Sequence, residues 1–289
     1  MLKHALSRRA VLRSAPAAIG LAALGGQELS AQEVKIGGAD LKLGVASYSF
    51  RKFTRAQAIQ MTKELGTPYL NVKDVHLALN SSPEEIDQAK KEFADAGIIL
   101  VGCGNISFPK DDEADIRQKF EYAKRAGFPL IVCAPTHTTL PKLDKFVKEY
   151  DIKIAVHNHG PEDKNFPTPQ SVLAVVKNMD PRCGLCIDVG HTSRTGADIV
   201  ESIAEAGPRL LDMHVKDLSD PMVKESQVAV GDGKLPFPQI FMQLIKMKYS
   251  ASVNLEYEVH ENDPLPGMQK SFSYMRGVLA GIRGAKYSA

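Results

Sequence analysis

The sequence predicts a single-domain (β/α)8 TIM barrel over residues 40–285. Short hydrophobic runs alternate with amphipathic helical stretches throughout this region. Most of the runs are continuously apolar, which is typical of parallel strands covered on both faces. Eight strand–helix units in about 250 residues match the size of a closed barrel. An open, doubly wound sheet is the main alternative, but eight repeats of even size favour closure.

The predicted strands are short and are separated by segments long enough for one helix each. In chain order they cover residues 41–47, 69–73, 98–103, 130–134, 152–158, 184–189, 210–215 and 252–257. The helices that follow them cover residues 54–65, 82–96, 111–126, 140–150, 169–178, 197–206, 237–247 and 268–282. Thr54 and Ser82 are residue types that cap helix N-termini. Gly66, Gly127 and Gly207 stand just past predicted helices, where glycine favours termination.

The charge of the chain argues against a general affinity for nucleic acid. The whole chain carries a net charge of +2, and its first 31 residues contain four basic residues and one acidic residue. The remainder therefore carries −1, which gives no general attraction to nucleic acid or to an anionic membrane. No segment is a convincing stable membrane span. The sequence leaves the oligomeric state open.

Residues 1–31 are predicted to be a twin-arginine export signal. Residues 7–12 read SRRAVL and contain the paired Arg8 and Arg9. A weakly hydrophobic stretch rich in Ala and Gly follows, and small residues at 29–31 form a cleavage site before Gln32. This order of regions is that of an export signal, and the arginine pair indicates the bacterial twin-arginine route. The protein is therefore expected to be periplasmic or exported.

The four cysteines are expected to be small buried core residues. Cys183 and Cys186 form a C-x-x-C within a predicted strand, which directs their side chains to opposite faces. A second such pair is absent, so a zinc knuckle is not expected. A chain of this length also needs no disulfide framework.

Polar clusters stand at the ends of four successive predicted strands. They read HNH at 157–159, DVGH at 188–191, HVKD at 214–217 and EYE at 256–258. The carboxyl ends of barrel strands meet at one face, where function is located in this architecture. The predicted ligands of one divalent metal ion are His157, Asp188, His214 and Glu256. His159 is the substitute if His157 is not the ligand.

The ligand types also indicate the class of metal. A lone histidine at a strand end is more often a hydrogen-bonded core residue, but four polar residues on consecutive strands reverse that expectation. A buried Asp and Glu without a cation would carry a large desolvation cost. Mixed imidazole and carboxylate ligands suit Mn²⁺, Zn²⁺, Co²⁺ or Fe²⁺ better than Mg²⁺.

Other residues near these strand ends are predicted to act on a substrate. Residues two apart on a strand face the same way, so His159 and Glu258 can point inward. The predicted catalytic residues are His159, Glu256, Lys216, Glu258 and His191. Lys216 could reach substrate oxygens or form a rim salt bridge with Asp217. The predicted substrate-binding residues are His76, Lys73, His137 and Tyr48.

The loop after the seventh strand contains a glycine pair, in the segment GDGK at 231–234. Such a pair alone is weak support for a phosphate cradle. Glu258, Glu261 and Asp263 follow the eighth strand and would repel a phosphate. A neutral sugar is therefore expected as the ligand.

These clusters resemble the sugar phosphate isomerase/epimerase superfamily, the xylose-isomerase-like TIM barrels. The resemblance covers nearly the whole region after the signal and is most specific in residues 154–160, 186–192, 212–217 and 254–258. Members commonly bind a divalent metal through Glu, Asp, His and Glu on strands five to eight. Asp188, His214 and Glu256 match the last three of these ligands. His157 stands in the place of the first glutamate.

That replacement affects the mechanism that the resemblance implies. In epimerase members, the fifth-strand and eighth-strand glutamates are paired acid/base groups on opposite faces of the substrate. Here only Glu256 is present, and His157 or His159 would have to replace its partner. Members with the segment HNHG are similar to proteins that act on 3-keto-glycosides. Such a substrate would lose the C2 proton and then the C1 substituent.

Four functions are therefore considered. The first is a divalent-metal-dependent sugar isomerase or epimerase that removes a proton α to a carbonyl through a metal-stabilised enediolate. The second is a lyase or hydrolase that cleaves 3-keto-glycosides, and the third is a non-catalytic exported sugar-binding protein. The fourth, an apurinic-site nuclease, is disfavoured by the net charge and the export signal. The expected partner is a small-molecule sugar or oxidised glycoside, not nucleic acid.

Overall fold

A computed structural model describes residues 41–286, in which eight parallel strands close into a barrel. The strands are β1 (Lys42–Ala46), β2 (Tyr69–Val72), β3 (Ile99–Phe108), β4 (Leu130–Pro135), β5 (Lys153–His157), β6 (Cys183–Asp188), β7 (Leu210–Val215), β8 (Asp217–Leu218), β9 (Gln227–Val228) and β10 (Ser252–Leu255). The barrel consists of β1–β7 and β10, and β10 closes it against β1. β8 and β9 form a separate antiparallel pair. The predicted (β/α)8 barrel is confirmed, and the open sheet is wrong because the ring of hydrogen bonds is complete.

Helices connect the strands and cover the outside of the barrel. They are α1 (Arg55–Glu64), α2 (Pro83–Asp95), α3 (Glu113–Ala126), α4 (Leu140–Tyr150), α5 (Pro169–Val176), α6 (Val189–Arg194), α7 (Ile199–Ala206), α8 (Phe237–Lys246) and α9 (Leu265–Lys286). Thr54 and Ser82 both cap their helices in capping boxes. Gly127 ends α3 with a φ of 80°. The short helix α6 was not predicted, because a six-residue helix has too few residues for a clear period.

The interior of the barrel is apolar on one side and polar on the other. Leu130, Val132, Ala155 and Cys186 form a small buried cluster between β4, β5 and β6. Across the barrel, the Asp212 carboxylate accepts hydrogen bonds from Asn254 Nδ2 at 2.7 Å and Ser252 Oγ at 3.1 Å. Most other buried apolar side chains form one large cluster between the strands and the helices. All four cysteines are free and buried, as predicted.

The strand β3 continues five residues beyond its predicted end at residue 103. Its pairing with β4 shifts between Cys103 and Ile106, which marks a bulge. Gly104 lies there with a φ of 96°, and a Cβ at this position would clash with the Val132 carbonyl oxygen. Glycine within a strand pattern favours such an irregularity. The bulge brings Asn105 to the carboxyl end of the barrel.

The export signal predicted for residues 1–31 lies outside the described residues. Between residues 41 and 286, no helix combines the length and the apolar character that crossing a bilayer requires.

Candidate metal centre and active site

The four predicted metal ligands meet at the carboxyl end of the barrel. His157 and Asp188 are the last residues of β5 and β6, His214 lies near the end of β7, and Glu256 directly follows β10. Asp188 pairs in register with His214 on the neighbouring strand. Each residue offers one ligand atom, and these four atoms all lie within 4.8 Å of one another. All four side chains are buried.

The distances within this ligand cluster fit the coordination shell of a small divalent cation. His157 Nε2 lies 2.9 Å from His214 Nδ1 and 3.6 Å from Asp188 Oδ2, while His214 Nδ1 lies 3.4 Å from Glu256 Oε2. Ligands held about 2.1 Å from one ion are about 3.0 Å apart in octahedral geometry and about 3.4 Å apart in tetrahedral geometry. Asp188 Oδ2 is buried and accepts no hydrogen bond. Lys216 Nζ lies 3.2 Å from this oxygen, which leaves lone pairs that a cation would engage.

The charge balance around the ligand cluster also favours a divalent cation. Four carboxylates belong to the cluster or lie beside it: Asp188 and Glu256 are members, and Asp212 and Glu258 are neighbours. Two ammonium groups lie among them: Lys73 Nζ is 3.4 Å from Glu256 Oε1, and Lys216 Nζ is 3.1 Å from Glu256 Oε2. With all carboxylates ionised and the imidazoles neutral, the net charge is −2. A divalent cation would neutralise it.

The pKa shifts of His157, Asp188 and Glu256 favour the forms that metal binding requires. Burial lowers the pKa of His157 well below its usual value, so the imidazole is neutral. Burial would raise the pKa of Asp188, but the Lys216 ammonium group holds it well below its usual value. The pKa of Glu256 is likewise held well below its usual value against the effect of burial, by the positive side chains around it, which include Lys216 and Lys73. Neutral imidazoles and ionised carboxylates are the forms that ligate metals.

Hydrogen bonds behind the cluster fix the orientation of Asp188. Asn158 Oδ1 accepts a hydrogen bond from the Asp188 backbone N–H at 3.1 Å, and Asn158 Nδ2 donates to Thr192 Oγ1 at 3.1 Å. Asp188 also caps α6, because its Oδ1 accepts the His191 backbone N–H at 2.8 Å. One carboxylate oxygen is therefore used by the backbone, and the other faces the ligand cluster.

Asp212 lies behind His214 in the interior of the barrel. His214 Nε2 lies 3.7 Å from Asp212 Oδ2, on the side of the ring away from the other ligands. Burial raises the pKa of Asp212 to about 6, although His214 opposes this shift. A carboxylate behind a metal-bound histidine orients the ring and raises its basicity. Asp212 was missed, although it lies two residues before His214 and therefore faces the same way on the strand.

The ligand cluster borders a cavity of about 270 Å³ at the mouth of the barrel. One wall, the ligand side, comes from the ends of β5, β6, β7 and β10; its residues are His157, His159, His191, His214, Glu256 and Glu258. The opposite wall, the open side, comes from the ends of β1, β2 and β3; its residues are Tyr48, Lys73, Asp74 and Asn105. The volume is near the lower end of the roughly 300–1,000 Å³ of small-molecule sites.

Three predicted catalytic residues line this cavity without belonging to the ligand cluster. His159 has its Nε2 2.8 Å from Asn105 Nδ2 and its Nδ1 3.5 Å from Asp163 Oδ2. His191 contacts the His157 and His159 rings. The Glu258 carboxylate forms an ion pair with Lys216. Of the two candidate histidines, the structure places His157 among the ligands and His159 on the cavity wall.

Lys216 lies among three carboxylates and not beside the Asp217 carboxylate, its partner in one of the two sequence-based alternatives. It is 4% exposed, does not line the cavity, and lies between the carboxylates of Asp188, Glu256 and Glu258. Burial opposes its charge, yet these three carboxylates raise the pKa of Lys216 well above its usual value. The predicted pairing with Asp217 is wrong, because the Asp217 carboxylate accepts the backbone N–H groups of Gly231 and Gly233. A phosphate bound by the GDGK loop would need these same backbone N–H groups as donors, and Asp217 already accepts their hydrogen bonds.

Two of the predicted substrate-binding residues do not line the cavity. His76 is 3% exposed, and its Nδ1 lies 2.8 Å from Ser47 Oγ. His137 is exposed and packs its ring 4.7 Å from that of Phe166. Both follow predicted strands by a few residues, but the turns after β2 and β4 carry them away from the mouth. Tyr48 and Lys73 line the cavity as predicted, and Lys73 also contacts Glu256.

The architecture and the clusters agree with a known family. Residues 59–278 match the family described as Xylose isomerase-like TIM barrel. The chain belongs to this family. The resemblance inferred from the sequence motifs is therefore confirmed.

The chain is also similar to a curated protein and to solved structures. It is 24% identical over 161 residues to inosose dehydratase of Mesomycoplasma hyopneumoniae, a match that covers 49% of this chain and 53% of that protein. The structure of L-ribulose 3-epimerase matches with a TM-score of 0.70 and 15% identity, covering 86% of this chain and 98% of that one. The IolI protein, determined with a bound zinc atom, matches with a TM-score of 0.66 and 17% identity, covering 83% and 99%. The chain spans about half the length of the curated relative, and the structural matches show the fold.

Proposed function

We propose that this protein is a divalent-metal-dependent enzyme that isomerises or epimerises a sugar by removing a proton next to its carbonyl group. The observation that carries the proposal is the meeting of His157, Asp188, His214 and Glu256 beside a cavity. His159 and Glu258, which can move protons and do not belong to the ligand cluster, line the same cavity. Its small volume and polar walls suit a single sugar unit.

The metal would be held by His157, Asp188, His214 and Glu256. Two imidazoles and two carboxylates favour Zn²⁺, Mn²⁺, Co²⁺ or Fe²⁺ over Mg²⁺, and the zinc atom bound by IolI supports this choice. When bound, such an ion supplies Lewis-acid polarisation of the substrate oxygens, worth several kcal/mol.

Groups on two different strands would move the proton. We assign proton abstraction to the Glu258 carboxylate, which extends from the end of β10 and is ion-paired with Lys216. His159, which follows β5 on the same wall, would return a proton to the neighbouring carbon in an isomerisation or to the same carbon in an epimerisation. An imidazole can serve as acid or base near neutral pH. Lys216 would act through Glu256 and Glu258 as a positioning residue.

The proposal is tested by solvent exchange. Zinc-loaded and manganese-loaded protein is incubated with a panel of ketoses in heavy water, and deuterium at the carbon next to the carbonyl is followed by NMR. Exchange with formation of a new ketose or aldose is expected, and it should disappear after chelation. Tight sugar binding without any exchange would instead identify a non-catalytic sugar-binding protein.

A second candidate function is elimination from an oxidised glycoside. Two observations favour it: the two groups assigned to move protons are chemically unlike, an imidazole after β5 and a carboxylate after β10, and one relative is named a dehydratase. After the C2–H bond breaks, its electron pair would form the C1–C2 double bond of an enone. The C1–O bond would break at the same time, and the leaving oxygen would take a proton.

The two reactions separate in one experiment. A 3-keto-glucoside and free ketoses are supplied in parallel, and the products are identified by mass spectrometry. Release of the aglycone from the 3-keto-glucoside would establish the elimination. Interconversion of ketoses alone would reject it.

We also propose that the protein is exported through the twin-arginine route, on the basis of residues 1–31 alone. A reporter fused to residues 1–40 should reach the periplasm. Replacement of Arg8 and Arg9 by Lys should abolish its export, and unchanged export of that variant would contradict the route.

A further inference from the structure

Arg194, the last residue of α6, is a buried arginine beside the cavity. Its side chain is 5% exposed. One guanidinium nitrogen, Nη1, lies 2.5 Å from Glu162 Oε1. The other, Nη2, lies 2.8 Å from His191 Nδ1 and 3.4 Å from the His159 carbonyl oxygen. None of these contacts involves a metal ligand.

The contact with His191 has only one chemically permitted polarity. A guanidinium is always protonated and has donors but no acceptor. His191 Nδ1 must therefore accept the hydrogen bond and cannot itself carry a proton. In the neutral imidazole, the proton is then on Nε2. Among the described residues, no group receives a hydrogen bond from that Nε2–H, and the ring lines the cavity.

We propose that Arg194 is a positioning residue that holds His191 as its Nε2–H tautomer, so that His191 presents a hydrogen-bond donor to a substrate oxygen. This inference rests on the proposed function for the identity of the substrate, but its central statement concerns the tautomer alone. His191 then serves as a donor to developing negative charge on oxygen, or as an acid toward a leaving oxygen. It does not serve as a base at this face.

The neighbouring sequence is built around the guanidinium. Gly160 has a φ of 83°, and a Cβ there would lie 2.8 Å from Arg194 Nη2 and 3.3 Å from the His191 carbonyl oxygen. The glycine of the HNHG segment is thus required for the approach of Arg194. Two residues later, Glu162 supplies the carboxylate that holds the other end, and this hydrogen bond lowers the pKa of Glu162 to about 2.

A neutral donor at this position suits the reaction. When the α-proton leaves, charge develops on oxygen, and a preoriented N–H group stabilises it without reorganisation. Without Arg194, the ring would be free to adopt the Nδ1–H tautomer or to rotate. A lone pair would then face the substrate oxygen and repel it.

The test is direct detection of the His191 tautomer. The zinc-loaded full chain is labelled with ¹⁵N-histidine, and the His191 signals are assigned by their loss in His191→Gln. An unprotonated Nδ1 with a protonated Nε2 is expected. A protonated Nδ1, in either the other tautomer or the imidazolium, would overturn the inference.

Variants separate this role from a merely structural one. Arg194→Met should give a mixture of tautomers and lower kcat about tenfold, with the zinc content and KM nearly unchanged. Arg194→Lys retains a cationic donor and should restore part of kcat. Arg182→Met is the matched control, since Arg182 is also ion-paired, with Asp151 and Asp180, but precedes β6. An unchanged tautomer in Arg194→Met would also overturn the inference.

The wild-type spectrum decides the question even if Arg194→Met does not fold. The outcomes also distinguish the two proposals. If His191 shows the expected tautomer but the protein exchanges no α-proton, the proposed reaction is contradicted. The assignment of Arg194 is then still supported.

Discussion

The two walls of the cavity differ in how far their side chains are buried and in how their charges are paired. On the ligand side, buried histidines and carboxylates contact one another and Lys216, and each charge has an opposite charge within about 4 Å. On the open side, Lys73 is buried and pairs with Glu256, but Tyr48, Asp74 and Asn105 are exposed. A buried charge must be compensated or it destabilises the fold, whereas an exposed residue can vary freely. The ligand side is therefore expected to hold the chemistry, and the open side to select the substrate.

The largest expected effect is loss of the metal from the ligand side. Asp188→Asn removes the charge of a fully buried ligand. The variant should lose stoichiometric zinc and reduce α-proton exchange by roughly 10³-fold or more, because Lewis-acid stabilisation is worth several kcal/mol. Metal content and exchange are measured together. Asp232→Asn, at an exposed ion pair with Lys270, is the control, and full metal retention in Asp188→Asn would contradict the site.

Replacement of Lys216 tests whether this residue acts on the ligand cluster through its charge or through packing. Lys216→Met should lower activity by roughly 10- to 100-fold, because Glu256 and Glu258 lose the cation that orients them. Its metal affinity should stay equal or increase, since Asp188 and Glu258 lose their cation and Glu256 keeps only Lys73. The metal-free variant should therefore have a lower Tm than the wild type and gain more from added zinc. Weaker zinc binding would show that Lys216 supports the ligands by packing instead.

Asp212 tests the support behind His214. Asp212→Asn keeps the shape but removes the carboxylate, and it should weaken metal binding by about 10- to 100-fold. Titration calorimetry with zinc measures this change. Ser252→Ala removes one hydrogen bond to Asp212 without changing charge and should have a smaller effect. Equal affinity in Asp212→Asn and the wild type would exclude the supporting role.

On the open side, the expected effect is confined to substrate binding. Tyr48 is 40% exposed, and within residues 41–286 no hydrogen bond or ion pair joins it to the ligand cluster. Tyr48→Ala should raise KM about fivefold, equivalent to about 1 kcal/mol, with unchanged metal content and kcat. A large loss of kcat or metal would remove the distinction between the two walls.

The smallest expected effect concerns His76, which lies outside both walls. Burial lowers the pKa of His76, so the folded state disfavours its protonation. The unfolded chain takes up this proton below about pH 6.5, and stability therefore falls as the pH drops below that value. In metal-free protein, His76→Gln should lose less Tm between pH 7 and pH 5 than the wild type. His137→Gln, at an exposed ring, should behave as the wild type.

Much of the ligand side could be predicted because its residues follow a simple rule. Strand ends in a closed barrel converge, so His157, Asp188, His214 and Glu256 could be assigned to one point from their place after apolar runs. The same rule was wrong for His76 and His137, which follow their strands by several residues. Beyond the last hydrogen-bonded residue, the chain direction depends on the turn and not on the strand.

Residues that act behind the site were harder to find. Asp212 could have been predicted, since residues two apart on a strand face the same way and it lies two residues before His214. Arg194 and Glu162 gave no such signal, because their contact joins the loop after β5 to a short helix after β6. Lys216 was assigned to the correct face, but its three carboxylate partners come from two other strands.

The sequence by itself determined the closed barrel, its eight strand–helix units and the face on which the polar residues gather. These follow from local patterns: the period of apolar residues and the positions of caps and stops. The tertiary structure alone decided which imidazole joins the ligand cluster, where Lys216 lies, and why the HNHG glycine is needed. Such outcomes depend on distances of 3–4 Å between segments far apart in the chain, where burial and charge compensation act together and no local pattern records them.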